Sequence, residues 1–342
     1  MFRRKRILVL FTFLAVLCAL PFQGVFASAA LPKVYVGGAP IGITLKTDGL
    51  VVIGRSDVVT EKGLVNTLEE SNIQKGDLLL CVEDHPVSSS EELSALINRE
   101  EYRGKTLAIR LKRGDREIET RFTPALDLIT GEYKAGLWVK EDTMGIGTLT
   151  FVRADNFEYG ALGHAVVDPD TKQNVRLRVG EVTNCSVTGW QRGQRGKAGE
   201  LKGVFVNMKS PIGSVTRNTD LGIYGKMNKP VIQALYPEPM EIMPRDQIRP
   251  GKASILCTIS GSTPTEYAIE ITKVNHQNKA SDKSLVIRVT DKRLLESTGG
   301  IVQGMSGSPI LQNGKLVGAV THVFINDPAR GYGVFVEWML EQ

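Results

Sequence analysis

One serine in the chain sits where its own backbone can help it react. In Gly304-Met305-Ser306-Gly307-Ser308-Pro309 the glycines permit a tight turn, so the N–H groups of Gly304 and Ser306 can converge on one point. An oxygen that gains charge there, as in the tetrahedral intermediate of acyl transfer, meets two preorganised donors. Those two residues are the candidate oxyanion hole. A hydroxyl also needs a base before it attacks. His164, in Tyr159-Gly160-Ala161-Leu162-Gly163-His164-Ala165, follows small residues that let it approach, and it precedes Ser306 by 142 positions. Of the other histidines, His85 falls in a turn, His276 among polar residues, and His322 in a strand where it packs or lines a cleft.

A carboxylate that accepts from the histidine would fix its tautomer and stabilise the imidazolium. Spacing leaves the choice open. Asp168 stands four positions after His164 in a turn, which is too close. Asp220 lies 56 positions after it, and Asp291 ends a strand 15 positions before Ser306. Each also reads as a solvated turn residue. The run G-x-S-G-[GS]-P resembles the nucleophile loop of chymotrypsin-like serine proteases. In that fold the following strand pairs with the substrate backbone, a part that falls here to Val320, Thr321, His322 and Val323.

The elements that must position these groups read as mainly β. Glycine numbers 35 and proline 15 among 342 residues, with only 6% aromatics, which favours short strands and tight turns. From about Val139 onward ten short strands are expected, among them Tyr267–Val274, Leu285–Val289 and Val231–Ala234. Few helices interrupt them, which predicts a pair of barrels or a sandwich. The basic, glycine-rich Gln191–Glu200 is expected to be a mobile loop. Residues 31–123 read differently. Strands are predicted at Val34–Val36, Ile41–Leu45, Leu50–Ile53, Leu78–Val82 and Thr106–Lys112, with helices at Gly63–Glu70 and Ser90–Asn98. Ser90 is the expected N-cap, and Leu93, Leu96 and Ile97 have helical spacing. The stretch from Ile73 to Ile97 resembles the second half of a PDZ domain. Such a domain binds an extended peptide along a strand edge and captures its terminal carboxylate with backbone N–H groups. Gly37, Gly38, Gly42 and Ile43 are the expected carboxylate loop and edge strand. Residues 124–138 form a connector to the second domain, 139–342.

The N-terminus reads as an export signal. Arg3 to Arg6 are followed by an apolar run from Ile7 to Leu20, then Pro21 and the small residues Ala27, Ser28 and Ala29. Residues 1–30 are a signal peptide or a signal anchor, with cleavage and retention both open. The net charge is +5, and four of the basic residues lie in that segment, so nothing points to nucleic acid. Four cysteines without CxxC spacing and four scattered histidines give no metal or disulfide framework. No cofactor is expected.

The signal, the PDZ-like part, "GALGHAVVDPDT" and the last fifty residues around "GIVQGMSGSPILQNGKLVGAVTH" together resemble the stage IV sporulation protein B family. These are PDZ-containing serine peptidases of endospore-forming bacteria. The resemblance implies a PDZ domain followed by a chymotrypsin-like double β-barrel. It implies His164 as base, Ser306 as nucleophile and Asp291 as acid, a choice over Asp220 that rests on the resemblance alone. It also implies export across the forespore membrane into the intermembrane space, self-cleavage near the N-terminus, and cutting of a membrane-anchored regulator that frees an intramembrane protease. Partners are then that anchored protein, other copies of the chain, and peptide C-termini or extended segments at the PDZ domain. A second class of function is a catalytically dead envelope scaffold, which the intact His164 and Ser306 disfavour.

Overall fold

Residues 31–69, 71–228 and 236–342 are described by a computed structural model. The signal segment and the strand expected at Val231–Ala234 lie outside them. The chain enters through β1 (Val34–Val36) and the long β2 (Pro40–Arg55). An α/β module follows, made of β3 (Val58–Thr60), β4 (Gly63–Val65), β5 (Leu78–Val82), β6 (His85–Pro86), helix α1 (Ser90–Ile97), β7 (Leu107–Arg113) and β8 (Arg116–Phe122). The short strands β9 (Ala125–Leu126) and β10 (Tyr133–Lys134) lead into β11 (Leu137–Arg153). Next come β12 (Glu158–Ala161), β13 (Val179–Gln191), β14 (Glu200–Val206), β15 (Gly213–Thr219) and β16 (Gly222–Met227). The C-terminal part contains β17 (Gly251–Cys257), β18 (Thr265–Val274), β19 (Leu285–Val289), helix α2 (Lys292–Thr298), β20 (Pro309–Gln312), β21 (Lys315–Phe324), β22 (Asp327–Phe335) and helix α3 (Val336–Leu340).

Two rings of strands emerge. The second closes in the order β17-β18-β19-β22-β21-β20. The first runs β11-β12-β16-β15-β13-β2 and closes because β11 pairs with β2 along almost its whole length. The protein is mainly β, as expected. Closure removes free edges, and each ring buries the inward half of an alternating pattern. In the first ring Ile41, Ile43, Leu45, Leu149, Ala161 and Val182 share one core. A separate core under α1 joins Leu50, Val52, Leu79, Leu93, Ile97 and Leu107. Ser89, one position earlier than expected, caps α1 by accepting from the Glu92 N–H at 3.1 Å.

The first ring corrects the expected domain layout. β2 is one continuous strand: Ile41–Lys46 lies in the barrel, and Leu50–Arg55 crosses into the α/β module. The PDZ-like module is therefore inserted between two strands of the first barrel. Gly37, Gly38, Gly42 and Ile43 do not form a peptide-capturing edge. The N–H groups of Gly37 and Gly38 donate to Thr150 O (2.8 Å) and Leu149 O (2.7 Å) of β11. Gly42 backs onto Thr183 and Phe205, and Ile43 is buried in the barrel core. The edge expected to take a peptide is satisfied by strands more than 90 residues downstream. Of Gly63–Glu70, expected as a helix, the described residues 63–69 instead supply β4 and a turn in which Asn66 Oδ1 accepts from the Leu68 N–H.

Candidate active site

The Ser306 loop is held from both barrels. Gly304 and Gly307 have φ of 96° and 94°, in the left-handed region that glycine tolerates. A Cβ on Gly307 would lie 2.1 Å from Thr148 O, so no other residue fits there. From β11, Thr148 Oγ1 donates to Gly304 O (2.8 Å) and Thr150 Oγ1 to Gly307 O (2.7 Å), while the Thr148 N–H donates to Ser306 O (3.1 Å). From β21, Val320 O accepts from the Gly307 N–H (2.7 Å), and the Val320 N–H donates to Ser308 O (2.9 Å). Among the described residues the N–H groups of Gly304 and Ser306 have no acceptor. They are the two donors an oxyanion would need. Ser308, the neighbouring hydroxyl, is fully buried and its Oγ has no partner among the described residues.

His164 is delivered by a sharp turn at the end of β12. Leu162 and Gly163 have φ of 70° and 72°, and a leucine in this region is an uncommon, strained conformation. Its buried side chain anchors the turn against Gly147, where an added Cβ would meet Leu162 Cδ2 at 2.0 Å. Gly163 passes so close to β21 that a Cβ there would lie 2.9 Å from Thr321 Cγ2. The histidine thus crosses from the first barrel to the serine's side. Its Nδ1 lies 2.8 Å from Ala165 O. That contact assigns the proton to Nδ1 and leaves Nε2 as the acceptor a general base requires. Burial lowers the His164 pKa and so favours the neutral ring. Ser306 Oγ donates to Thr321 O at 2.8 Å rather than to His164, so the hydroxyl must rotate before it reacts.

An apolar cavity of about 510 Å³ opens beside both groups, lined by Ser306, His164, Gly304, Ile301, Val302 and Ile325 among others. Thr321, His322 and Val323 border it. Val320 does not: it is fully buried, with its N–H and carbonyl both committed to the nucleophile loop.

Asp291 is elsewhere. It is the N-cap of α2, accepting from the Arg293 N–H (2.9 Å) and from the Ala268 N–H (3.2 Å). Arg293 grips it through Nε at 3.0 Å and Nη2 at 2.7 Å. Those bonds, the Arg293 pair foremost, hold its carboxyl down at about 2. No hydrogen bond joins it to His164, so the triad implied by resemblance is not assembled. Asp168 is buried and paired with Lys140 at 2.9 Å. Asp220 borders a second cavity that also touches His164, yet its Oδ1 accepts from Asn174 Nδ2 at 3.2 Å. Sequence spacing missed Asp282, which borders that same cavity and lies 3.4 Å from His322. It stands in a polar run, Lys279-Ala280-Ser281-Asp282-Lys283, with no local signal beyond that of a turn.

The expected mobile loop Gln191–Glu200 is the tip of the β13–β14 hairpin and is bonded at both sides. Arg192 donates to the last carbonyls of α2, including Leu295 O at 2.9 Å, and the Gly193 N–H donates to Thr298 O at 2.9 Å. Gly199 O accepts from the Gln303 N–H (2.9 Å), and the Leu201 N–H donates to Gln303 O (2.8 Å). The hairpin therefore braces the residues that lead into the oxyanion loop.

Two six-stranded barrels thus bring His164 and Ser306 to one cavity, and the chain is a serine peptidase. The chain belongs to the SpoIVB peptidase S55 family, whose model matches residues 131–340. No curated protein matches it. Among solved structures, the active form of the Rv3671c protease from M. tuberculosis is 15% identical, covering 58% of this chain and 73% of that one at a TM-score of 0.35. The HtrA-type protease AlgW with decapeptide is 11% identical, covering 90% of this chain and 63% of that one at 0.34. The PDZ domain of the SdrC-like protein Lmo2051 from Listeria monocytogenes is 21% identical, covering 28% of this chain and 90% of that one at 0.21. None of the described residues form a cluster suited to a metal ion, and no described helix is long and apolar enough to cross a membrane.

Proposed function

We propose that this serine peptidase is an exported endopeptidase that cleaves itself near its N-terminus and then cuts a membrane-anchored regulatory protein during endospore formation. One observation supports the chemistry above all: Ser306, His164 and the idle Gly304 N–H border one apolar cavity. In the proposed cycle Ser306 Oγ leaves Thr321 O, passes its proton to His164 Nε2 and attacks the scissile carbonyl. The N–H groups of Gly304 and Ser306 receive the oxyanion, and His164 returns the proton to the leaving amine. Water then hydrolyses the acyl-enzyme by the same steps in reverse. Family membership supports the sporulation setting.

Val34–Val36 form β1 against Arg153–Phe151, and Lys33 O accepts from the Ala154 N–H at 3.1 Å. Pairing of this segment supports a cut before Lys33 in the proposed self-cleavage. A fluorophosphonate probe tests the nucleophile: it should label the folded chain, with or without activating peptide, and leave Ser306→Ala unlabelled. Mass spectrometry of the two proteins should show an N-terminally shortened product only with Ser306 present. An unlabelled wild-type chain, or equal shortening of both, would overturn the proposal.

A further inference from the structure

Strand β14 is paired along its length on one side only, by β13, and lies off the main path of its sheet. Register settles which of its backbone groups are free. On β13, Val187 exchanges N–H and carbonyl bonds with Gly261, 2.8 Å each. Residues along a strand alternate the side to which they bond, so Ser186 and Asn184 turn the other way, toward Val204 and Val206 of β14. On β14 itself the Leu201 N–H points outward, donating to Gln303 O at 2.8 Å. The outward groups after Leu201 are therefore those of Gly203 and Phe205. Among the described residues neither the N–H nor the carbonyl of either has a partner. An open edge is a template for another strand, and proteins commonly blunt it with charge or proline. Glu200 and Lys202 bring charge to the start of β14, whereas Gly203-Val204-Phe205-Val206 brings none. Val204 and Val206 are 52% and 44% exposed.

This edge begins at the catalytic cavity. Gln303 takes its first rung, in parallel with Glu200, and the next residue is Gly304 of the oxyanion loop. Gln303 and Ala198, close to the hairpin tip, line the cavity together with Ser306. So does Ile146, whose Cδ1 lies 3.0 Å from where a Cβ on Gly203 would stand. β21 reaches the same cavity through Thr321, His322 and Val323, and Thr321 O holds the Ser306 hydroxyl at 2.8 Å. We propose that β14 is a strand-addition site for the substrate, taking the extended segment on the leaving-group side of the scissile bond, while β21 takes the acyl side. The inference rests on Ser306 and His164 being nucleophile and base. Bonds to the backbone of Gly203 and Phe205 ask only that the segment be extended, and Val204 and Val206 favour apolar residues beside them. The edge therefore selects unfolded stretches of protein over a particular sequence.

The test uses the full exported chain and a peptide of its own residues 21–40, with the cut located by mass spectrometry. A second peptide ends two residues past that cut. Phe205→Pro removes one donor from the edge, a change that an edge strand tolerates where the N–H faces outward. The double variant Val204→Glu, Val206→Glu keeps every backbone group and charges the edge. Each should lower kcat/KM for the long peptide roughly tenfold, the loss of one or two backbone hydrogen bonds. The short peptide and the rate of fluorophosphonate labelling should stay at wild-type values. A folded Phe205→Pro that cuts the long peptide at the wild-type rate would overturn the inference. So would an equal loss with the short peptide or the probe, which would place the effect in the oxyanion loop. If Phe205→Pro does not fold, the double variant decides by the same readings. A wild-type dimer that the variants dissolve, with hydrolysis unchanged, would give the edge to a second copy and overturn the inference too. A long peptide left whole by a chain that labels counts against it as well, since the edge asks only for extended backbone. Absence of labelling in the wild type is a different failure, that of Ser306 and His164 themselves.

Discussion

Substituting Asp291 separates a structural carboxylate from a catalytic one. Its oxygens cap the first turn of α2 and hold Arg293 in a two-point pair. Losing a helix cap costs about 1 kcal/mol. The ion pair contributes about 1 kcal/mol more once solvent screening around the exposed guanidinium is allowed for. Asp291→Ala should then destabilise by about 2 kcal/mol, and Asp291→Asn, which keeps a capping oxygen, by about 1 kcal/mol. In thermal melts this is roughly 2–4 °C for the asparagine variant and about twice that for alanine. The sign with pH follows from the depressed carboxyl. Its stabilisation is complete above the unfolded value near 3.8 and fades as pH falls toward about 2, so the two melting curves should converge there. Activity should fall by no more than about tenfold, through a loosened α2 that feeds into the oxyanion loop. A loss near 10⁴-fold in Asp291→Asn with unchanged melting would refute this reasoning, because that is what removing a triad acid does.

Other substitutions probe the frame around the serine. Ser306→Ala should abolish proteolysis and alter stability by no more than about 0.5 kcal/mol, measured by peptide hydrolysis and melting. Thr150→Val removes a buried hydroxyl that donates to Gly307 O, and should cost about 1–2 kcal/mol while slowing probe labelling. Gly38→Val should reduce self-cleavage and short-peptide hydrolysis alike. Gly38 has φ of 104°, and a Cβ there would meet Leu256 Cβ at 2.8 Å, so the damage is to the barrel rather than to peptide capture. The acidic limb of kcat/KM should lie below the free imidazole value, because burial lowers the His164 pKa, and a pH–rate profile checks it.

Much of the site was legible because backbone geometry demanded particular residues. The glycines around Ser306 answer to close approaches that admit no Cβ, and such constraints act within a few residues of the nucleophile. Strands with dense β-branched runs were legible too: Leu285–Val289 is β19 as expected, and Tyr267–Val274 falls within β18. Among the barrel strands three were missed, β12, β15 and β16, with sequences EYGA, GSVTRNT and GIYGKM. Their polar and glycine-rich residues extend because neighbouring strands pair with them. β2 likewise continues through Asp48-Gly49, a pair that reads as a turn, with a bulge in its register against β11. There Thr47 Oγ1 donates to Gly49 O at 2.6 Å, and Gly49 packs so tightly that a Cβ would lie 2.0 Å from Leu79 O.

Peptide capture and the supporting acid lay beyond local sequence for a shared reason. A free strand edge and a committed one have the same local pattern, and only the arrival of β11 and β13 decided that Ile41–Leu45 is interior. A carboxylate that supports a histidine likewise has no fixed offset from it. It acts across space by charge, and its own neighbours in sequence need only form a turn. Asp220, Asp282 and Asp291 all satisfy that condition. What distinguishes them is what stands at their oxygens: Asn174 for Asp220, Arg293 and a helix terminus for Asp291, and His322, 3.4 Å away, for Asp282. The nearest partner of each is between 2 and 46 residues away in the chain, and no spacing rule reaches across that range. Residues whose role depends on backbone shape can thus be read locally. A residue whose role depends on a field needs the fold that carries the charge to its target.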